Sequence, residues 1–194
     1  MNNITPERAD ELLSALGEQL AAVGERFELV VIGGSALAAL GLVRRATRDI
    51  DIVALRSEGA LVPAEPLPVV LAGARDRVAR DFGLDAGWLN PGPTELLRFG
   101  LPEGFESRLE RRPYGLALTV HLAGRLDHVH FKLYAMVDQG AGRHEADLRA
   151  LHPSPEELLA AARWARTHDP SEAFRQVLLA ALDHLGVHDA DLGA

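Results

Sequence analysis

The chain has 194 residues, 47% of them hydrophobic and 25% charged, which is an ordinary composition for a soluble globular protein. Its formal net charge of −8 disfavours a broad duplex-binding surface, because such surfaces are usually basic. The absence of cysteine excludes disulfides and cysteine-ligated zinc or iron–sulfur sites.

The first predicted element is a helix that begins after Thr5 and ends near Val23. Threonine followed by proline and glutamate is a typical helix start, and leucines recur at helical spacing as far as Gly24. The segment lacks the basic stretch and apolar core of a signal peptide. No apolar run in the chain approaches the roughly 18 residues of a membrane span, so we expect a cytoplasmic protein with no membrane partner.

A strand, a glycine turn, a short helix and a second strand follow. Phe27–Ile32 is almost entirely apolar, which favours a strand buried on both faces. Gly33-Gly34-Ser35 then leads into a short buried helix that ends near Leu42. The second strand is predicted at Arg48–Leu55. Because side chains alternate along a strand, one face would carry Asp49, Asp51 and Val53, and the other Ile50, Ile52 and Ala54.

The aspartate pair predicts a site for metal-bound phosphates. Two carboxylates about 6–7 Å apart on a strand, beside a glycine turn that opens a helix, can bind a divalent cation and its phosphates. The simpler interpretations are a packing turn for Gly33-Gly34 and solvent-facing acids for Asp49 and Asp51. Isoleucines on the opposite face, however, indicate an interior strand, where paired like charges need a cation or hydrogen-bond donors. The three-glycine dinucleotide fingerprint and the Walker lysine loop are both absent.

The middle of the chain alternates loops with a helix and a hairpin. The predicted elements are a loop at 56–66, a helix at Leu67–Phe82, a loop at 83–93, and a hairpin of Phe105–Arg111 and Tyr114–Leu122 that turns at Pro113. As an alternative, Leu67–Leu71 would form a strand instead of the first turn of this helix. Trp88, in the second loop, either stacks on a base or anchors the packing.

The last third of the chain is predicted to be helical. The helices are His128–Gln139 with Asp127 as cap, His144–Leu151, Pro155–Thr167, and one from Ser171 to about Gly186. Residues two apart on a helix point in different directions, so His128 and His130 are interpreted as structural rather than as metal ligands. Trp164 is predicted to lie in the core.

Together these elements predict an α/β (α+β) fold, in which a mixed β-sheet is flanked by helices. The predicted organisation is one domain at residues 1–151 and a helical C-terminal extension at 152–194 that packs on it.

The turn and the aspartates together resemble the nucleotidyltransferase superfamily with the DNA polymerase β-like catalytic fold. The shared pattern is a strand, Gly33-Gly34-Ser35, a helix, and a strand bearing Asp49-Ile50-Asp51. The segment Thr47-Arg48-Asp49-Ile50-Asp51 is similar to the T-x-D-I-D motif of the minimal, toxin-like branch, which includes the type IV abortive-infection toxins. Three further segments resemble that branch: Trp88-Leu89-Asn90, Phe131–Ala135 and Arg143–Leu148.

The resemblance implies Mg²⁺-dependent transfer of a nucleotidyl group from a nucleoside triphosphate to an RNA or protein acceptor, with a cognate antitoxin as a further partner. Asp49 and Asp51 would be catalytic residues and metal ligands. Lys132 would add a positive charge near the nucleotide, its alternative being a surface lysine. The residues expected to bind the nucleotide itself are Gly33, Gly34, Ser35 and Arg48. Arg44 and Arg45 would either steer phosphates or be solvated.

One departure from the superfamily concerns the third carboxylate, which active members usually supply from a later strand. The matching strand, Tyr114–Leu122, carries Thr119 and His121 at its polar positions and no acid. Asp138 or Asp147 would be the substitute carboxylates, Asp147 being equally interpretable as a surface acid, and His121 would be an alternative base.

This departure keeps open a second function, a catalytically silent protein that binds a nucleotide or a partner with the same fold. An acidic hydrolase with paired carboxylates is less favoured. Only 5% of the residues are aromatic, and nothing in the sequence supplies an aromatic platform for a sugar.

Overall fold

The computed structural model describes residues 3–193. The chain forms two compact units, Met1–Ala123 and Gly124–Ala194. Within the described residues there are eight α-helices and a six-stranded mixed sheet, which confirms the predicted α+β fold. None of these helices combines the length and the apolar composition needed to cross a bilayer.

The first unit contains the whole sheet. Its helices are α1 (Pro6–Ala22), α2 (Gly33–Ala39), α3 (Val69–Phe82) and α4 (Glu95–Phe99). Its strands are β1 (Phe27–Ile32), β2 (Ile50–Ser57), β3 (Ala60–Val62), β4 (Leu89–Asn90), β5 (Glu110–Tyr114) and β6 (Leu118–Leu122). The strand order is β3-β2-β1-β6-β5, with β4 paired to β2 beside this path. β1 is antiparallel to β2 and parallel to β6, so β1 lies at the centre.

The core of the first unit lies between one face of the sheet and the helices α1 and α3. Thr5 Oγ accepts the Arg8 N–H at 3.3 Å and so caps α1, as predicted. The buried side chains of this core include Leu12, Leu16, Leu29, Val31, Ile50, Ile52, Leu71, Val78 and Trp88. Trp88 is fully buried and its Nε1–H donates to Arg75 O at 3.2 Å, which supports the packing interpretation of this residue.

A β-bulge interrupts the alternation of β2. Val30 pairs with Ala54 and Val31 pairs with Ile52, so Val53 is an extra residue on β2. As a result Leu55, and not Ala54, joins Ile50 and Ile52 in the core cluster. The predicted alternation was therefore correct up to Ile52 and wrong at Ala54.

Two turns differ from the sequence prediction. Residues 56–66 were predicted to be a loop, but β2 extends to Ser57 and a tight turn at Glu58-Gly59, both with positive φ, leads into β3. The second hairpin turns at residues 115–117 and not at Pro113, which lies within β5. β5 is an edge strand, where proline is tolerated because no partner needs its missing N–H.

The second unit is helical and consists of α5 (Arg125–Gln139), α6 (Gly142–Ala150), α7 (Pro155–His168) and α8 (Glu172–His184). Asp127 is not the N-cap of α5: it lies one turn in, and its Oδ2 accepts the N–H of the cap residue Gly124 at 3.1 Å. The compact unit begins before α5, whereas the sequence analysis divided the chain after residue 151. The reason is that α5 contacts both α6 and α7.

The two histidines of α5 are bonded within their own helix. Nδ1 of His128 lies 2.9 Å from Gly124 O, and Nδ1 of His130 lies 2.8 Å from Leu126 O. A carbonyl only accepts, so each Nδ1 donates. Both side chains are buried, which agrees with a structural role. Trp164 of α7 is half-buried and contacts the Phe131 ring edge-on.

Candidate functional site

Both glycines of the turn after β1 are in close contact with polar side chains. Gly33 has φ +77°, and a Cβ built on it would collide with Oδ2 of Asp51. A Cβ on Gly34 would lie 3.0 Å from Nη2 of Arg45 and 3.3 Å from Oγ1 of Thr47. Gly33 therefore has to be glycine, because its φ is positive and Asp51 lies directly against it, while Gly34 is contacted by the side-chain ends of Arg45 and Thr47.

Asp51 lies on β2, on the face opposite the core, since its neighbours Ile50 and Ile52 are both core residues. Its Oδ1 accepts a hydrogen bond from Nδ2 of Asn90 at 2.8 Å. Asn90 is in register with Asp51 on β4, and Asn90 Oδ1 accepts the Gly92 N–H at 3.0 Å. The carboxylate of Asp51 is thus held between Gly33 and Asn90.

Asp49 lies in the loop just before β2, since the strand begins at Ile50 and not at Arg48 as predicted. Thr47 Oγ1 is 3.2 Å from Asp49 O and 3.4 Å from Asp49 Oδ1. Thr47 is itself fixed by an antiparallel bridge to Ile4, with N–H to O distances of 2.8 and 2.9 Å. Because the same Thr47 hydroxyl approaches Gly34, both aspartates lie next to the glycine turn.

Ser35 and Arg45 form the polar lining of the turn. Ser35 is 6% exposed, and its Oγ is buried with no hydrogen-bond partner among residues 3–193. A buried hydroxyl without a partner is uncommon in native proteins and indicates a place for an absent polar group. The Arg45 guanidinium lies over Gly34, whereas Arg48 is exposed. α2 is only seven residues long, so its dipole contributes little to anion binding.

Lys132 belongs to α5, in the second unit. Its Nζ forms an ion pair with Asp147 Oδ2 at 2.8 Å, and the two side chains are only 7% and 3% exposed. The surface interpretations of Lys132 and Asp147 are therefore both wrong. A contact between Lys132 and a nucleotide stays a prediction.

Among residues 3–193, no third carboxylate joins the two aspartates in a metal-binding cluster. Within the described part of the chain, no three His, Asp or Glu side chains cluster in a way that could hold a metal ion. The residue that lies beside Asp51 is the neutral Asn90, which comes from β4 and not from the strand where the acid was sought. In the sequence, Trp88-Leu89-Asn90 is only a segment that resembles the toxin-like branch, and nothing local assigns a role to Asn90.

His121, the alternative base, lies on β6 on the same face of the sheet as Asp51. It is in register with Val30, while Asp51 is in register with Ile32, so their Cα positions are roughly 12 Å apart. Nε2 of His121 is 2.6 Å from Oε2 of Glu28. His121 is thus engaged with Glu28, and its role as a base stays a prediction.

The chemistry of the two aspartates fits Mg²⁺. This ion prefers oxygen ligands, keeps several waters, and is commonly held by one or two carboxylates together with the phosphates of a substrate. Asp49 and Asp51 supply two carboxylates from one loop and strand, and Ser35 and Arg45 would offer a hydroxyl and a cation to phosphate oxygens. These residues are the ones that would hold a metal-bound triphosphate.

Replacing Gly33 by alanine is expected to cost about 2–4 kcal/mol of unfolding free energy, because left-handed strain adds to the displacement of Asp51. Gly41→Ala is the matched control: Gly41 has φ +71° and nothing within 4 Å of a built Cβ. It should cost about 1 kcal/mol, from strain alone. Urea unfolding measures both changes, and equal losses would contradict the contact between Gly33 and Asp51.

Comparison with known proteins matches the chain to a protein family. The model of one protein family matches residues 10–142, and that family is described as "Nucleotidyltransferase of unknown function (DUF6036)". The match includes the glycine turn, both aspartates, Asn90 and Lys132. No curated protein and no solved structure matches the chain.

Proposed function

Since the chain belongs to the DUF6036 family of nucleotidyltransferases of unknown function, we propose that it transfers a nucleotidyl group from a Mg²⁺-bound nucleoside triphosphate to an RNA or protein acceptor. The observation that carries the proposal is the contact of the Gly33-Gly34 turn with Asp51 and with the Thr47 loop that holds Asp49. The two candidate cation ligands, Asp49 and Asp51, therefore lie beside the turn that is the candidate phosphate-binding segment.

Each residue of this site has a separate task in the proposed reaction. Asp49 and Asp51 bind the cation, and the bond from Asn90 fixes the orientation of the Asp51 carboxylate. Ser35 Oγ and the Arg45 guanidinium, with Arg48 at the exposed side, receive the phosphate oxygens. The two glycines let Asp51, Arg45 and Thr47 approach the turn closely.

The proposed step is a displacement at the α-phosphorus. The acceptor hydroxyl oxygen forms a bond to this phosphorus, the bond to the bridging oxygen of pyrophosphate breaks, and the hydroxyl proton passes to water. Asp49 and Asp51 would hold the Mg²⁺, which would supply positive charge to offset that of the triphosphate. The protein supplies mainly position and charge, as is usual for phosphoryl chemistry.

A second function is favoured by one observation, the neutral Asn90 at the place beside Asp51. Without a third carboxylate the site can bind a nucleotide and leave it unchanged. The protein would then be a catalytically silent nucleotide- or partner-binding member of the family.

Incubation with triphosphates labelled at the α-phosphate, together with total RNA and total protein, separates the two functions. Transferred label that depends on Mg²⁺ and on both aspartates supports the transferase. Saturable triphosphate binding without transfer supports the silent protein. If the folded protein shows no binding and no transfer at millimolar nucleotide and Mg²⁺, both proposed functions are overturned.

We further propose a toxin role with a cognate antitoxin, which rests on the resemblance of Thr47–Asp51 to the toxin-like branch. Controlled expression of the wild-type chain should then arrest growth, while an Asp51→Asn chain at equal level should not. Equal growth of the two cultures would remove this part of the proposal.

A further inference from the structure

The side chain that donates a hydrogen bond to Asp51 from the neighbouring strand is Asn90. We propose that Asn90 is a positioning residue of the cation site, and that this site holds a single divalent cation when no nucleotide is bound. The inference rests on the proposed function, since it concerns the same cation, and it deepens that function by fixing the number of ions that the protein's own residues bind.

The two hydrogen bonds of Asn90 fix its amide in one orientation. Oδ1 accepts the Gly92 N–H at 3.0 Å, and Nδ2 donates to Asp51 Oδ1 at 2.8 Å. A flipped amide would place its NH₂ against another donor at Gly92 and its oxygen against a carboxylate oxygen, losing both bonds. Asn90 therefore presents a donor to Asp51 and keeps its own oxygen away from the cation.

The hydrogen bond from Asn90 fixes the orientation of the Asp51 carboxylate. Asn90 is bonded to Oδ1, and Oδ2 lies against Gly33, so both ends of the carboxylate are defined before a cation arrives. Partners that orient a metal ligand typically change metal affinity by about 10–100-fold when they are removed. Asn90 orients Asp51 in this way, through the hydrogen bond from its Nδ2 to Asp51 Oδ1.

The consequence for the cation number follows from charge. Asp49 and Asp51 bring two negative charges, the amide of Asn90 brings none, and the Arg45 guanidinium over Gly34 adds one positive charge close by. One divalent cation therefore already offsets the negative charge of the site. A second divalent cation about 4 Å from the first would meet strong repulsion with no further anion to offset it. A second ion can therefore enter only together with the charge of a triphosphate.

The test uses Mn²⁺ alone, titrated into the nucleotide-free protein and followed by electron paramagnetic resonance of the free ion. Wild-type protein should bind one Mn²⁺. Asn90→Asp keeps an oxygen for the Gly92 N–H and adds a carboxylate beside Asp51, so it should bind two Mn²⁺ or bind the first about tenfold more tightly. Asn90→Ala should bind one Mn²⁺ about tenfold more weakly.

The matched charge control is Gln19→Glu. Gln19 lies on α1, which packs against the core face of the sheet, and its Oε1 accepts from Arg77 Nε at 2.6 Å. This variant adds the same charge without touching Asp51 and should bind Mn²⁺ like the wild type. Thermal unfolding of every variant verifies folding, and the wild-type stoichiometry tests the inference even if Asn90→Asp does not fold.

The outcomes are distinguishable. Two ions on the wild-type protein, or an unchanged titration for both folded Asn90 variants, would overturn the role of Asn90 while leaving the proposed function intact. Wild-type protein that binds no Mn²⁺ with or without triphosphate would overturn the proposed function together with this inference.

Discussion

Asp51→Asn should weaken Mg²⁺-dependent triphosphate binding by about 100-fold or more, since a direct carboxylate ligand contributes more than the partners that orient it. Asparagine retains the oxygen that accepts from Asn90 Nδ2, so the fold should be preserved. Asp49→Asn should act in the same direction, and the double variant should show no Mg²⁺-dependent binding. Titration of a fluorescent triphosphate analogue with and without Mg²⁺ measures the effect.

The control for this loss of charge is Asp81→Asn. Asp81 is exposed on α3, in the same unit as the site. Its replacement lowers the negative charge equally but should leave triphosphate binding within about twofold of wild type, because exposed charges are screened by salt. Normal Mg²⁺-dependent binding by the folded Asp49→Asn, Asp51→Asn double variant would remove the aspartates from the site.

The second large effect is expected at the buried ion pair of the second unit. Lys132→Met leaves the Asp147 carboxylate without its ammonium partner at a nearly inaccessible place. Removal of one partner of such a pair typically costs about 3–5 kcal/mol of unfolding free energy. Replacing both residues, in Lys132→Met with Asp147→Leu, should recover most of that loss, because no buried charge is then left unpaired. Urea unfolding of the single and double variants measures this coupling.

Arg149→Met is the surface counterpart of this experiment. Arg149 forms an ion pair with Glu145 on α6 at 2.8 Å, but its side chain is 52% exposed. The loss of stability should be much smaller than for Lys132→Met, because solvent and salt screen such pairs. Similar losses at the two positions would show that burial does not dominate the energetics of the Lys132 pair.

The double variant also tests the predicted role of Lys132 at the nucleotide. A folded Lys132→Met, Asp147→Leu protein that binds triphosphate normally would make this lysine purely structural. A folded protein with the Asp51→Asn defect would support the nucleotide role. The double variant, whose stability should be largely restored, thus separates the structural role of Lys132 from its predicted role at the nucleotide.

Long periodic segments of the fold were predictable from the sequence. The leucines of α1 and the apolar run of β1 gave elements whose ends agree with the structure to within a residue or two. β3 and β4 were missed because strands of three and two residues are too short for an alternation to be recognised. The bulge at Val53 was missed because it depends on the pairing of β2 with β1, which local sequence does not encode.

The spatial grouping of the candidate site residues was predictable where these residues follow one another closely in the sequence. The glycine turn and the two aspartates are brought together as their spacing predicted. Asn90 was missed because its bond to Asp51 joins residues 39 positions apart, and a single asparagine after a tryptophan carries no local signal. Among the arginines, sequence favoured Arg48 for its place next to Asp49, whereas the loop turns Arg45 onto Gly34.

The bridge between Ile4 and Thr47 offers a way to observe this loop in solution. Asn3 is exposed and adjoins Ile4, whose backbone bonds fix Thr47, while Thr47 contacts Asp49. The chain has no cysteine, so Asn3→Cys would introduce a unique thiol for a fluorophore or spin label. A probe attached there would report loosening of the bridge without altering any side chain that lines the turn.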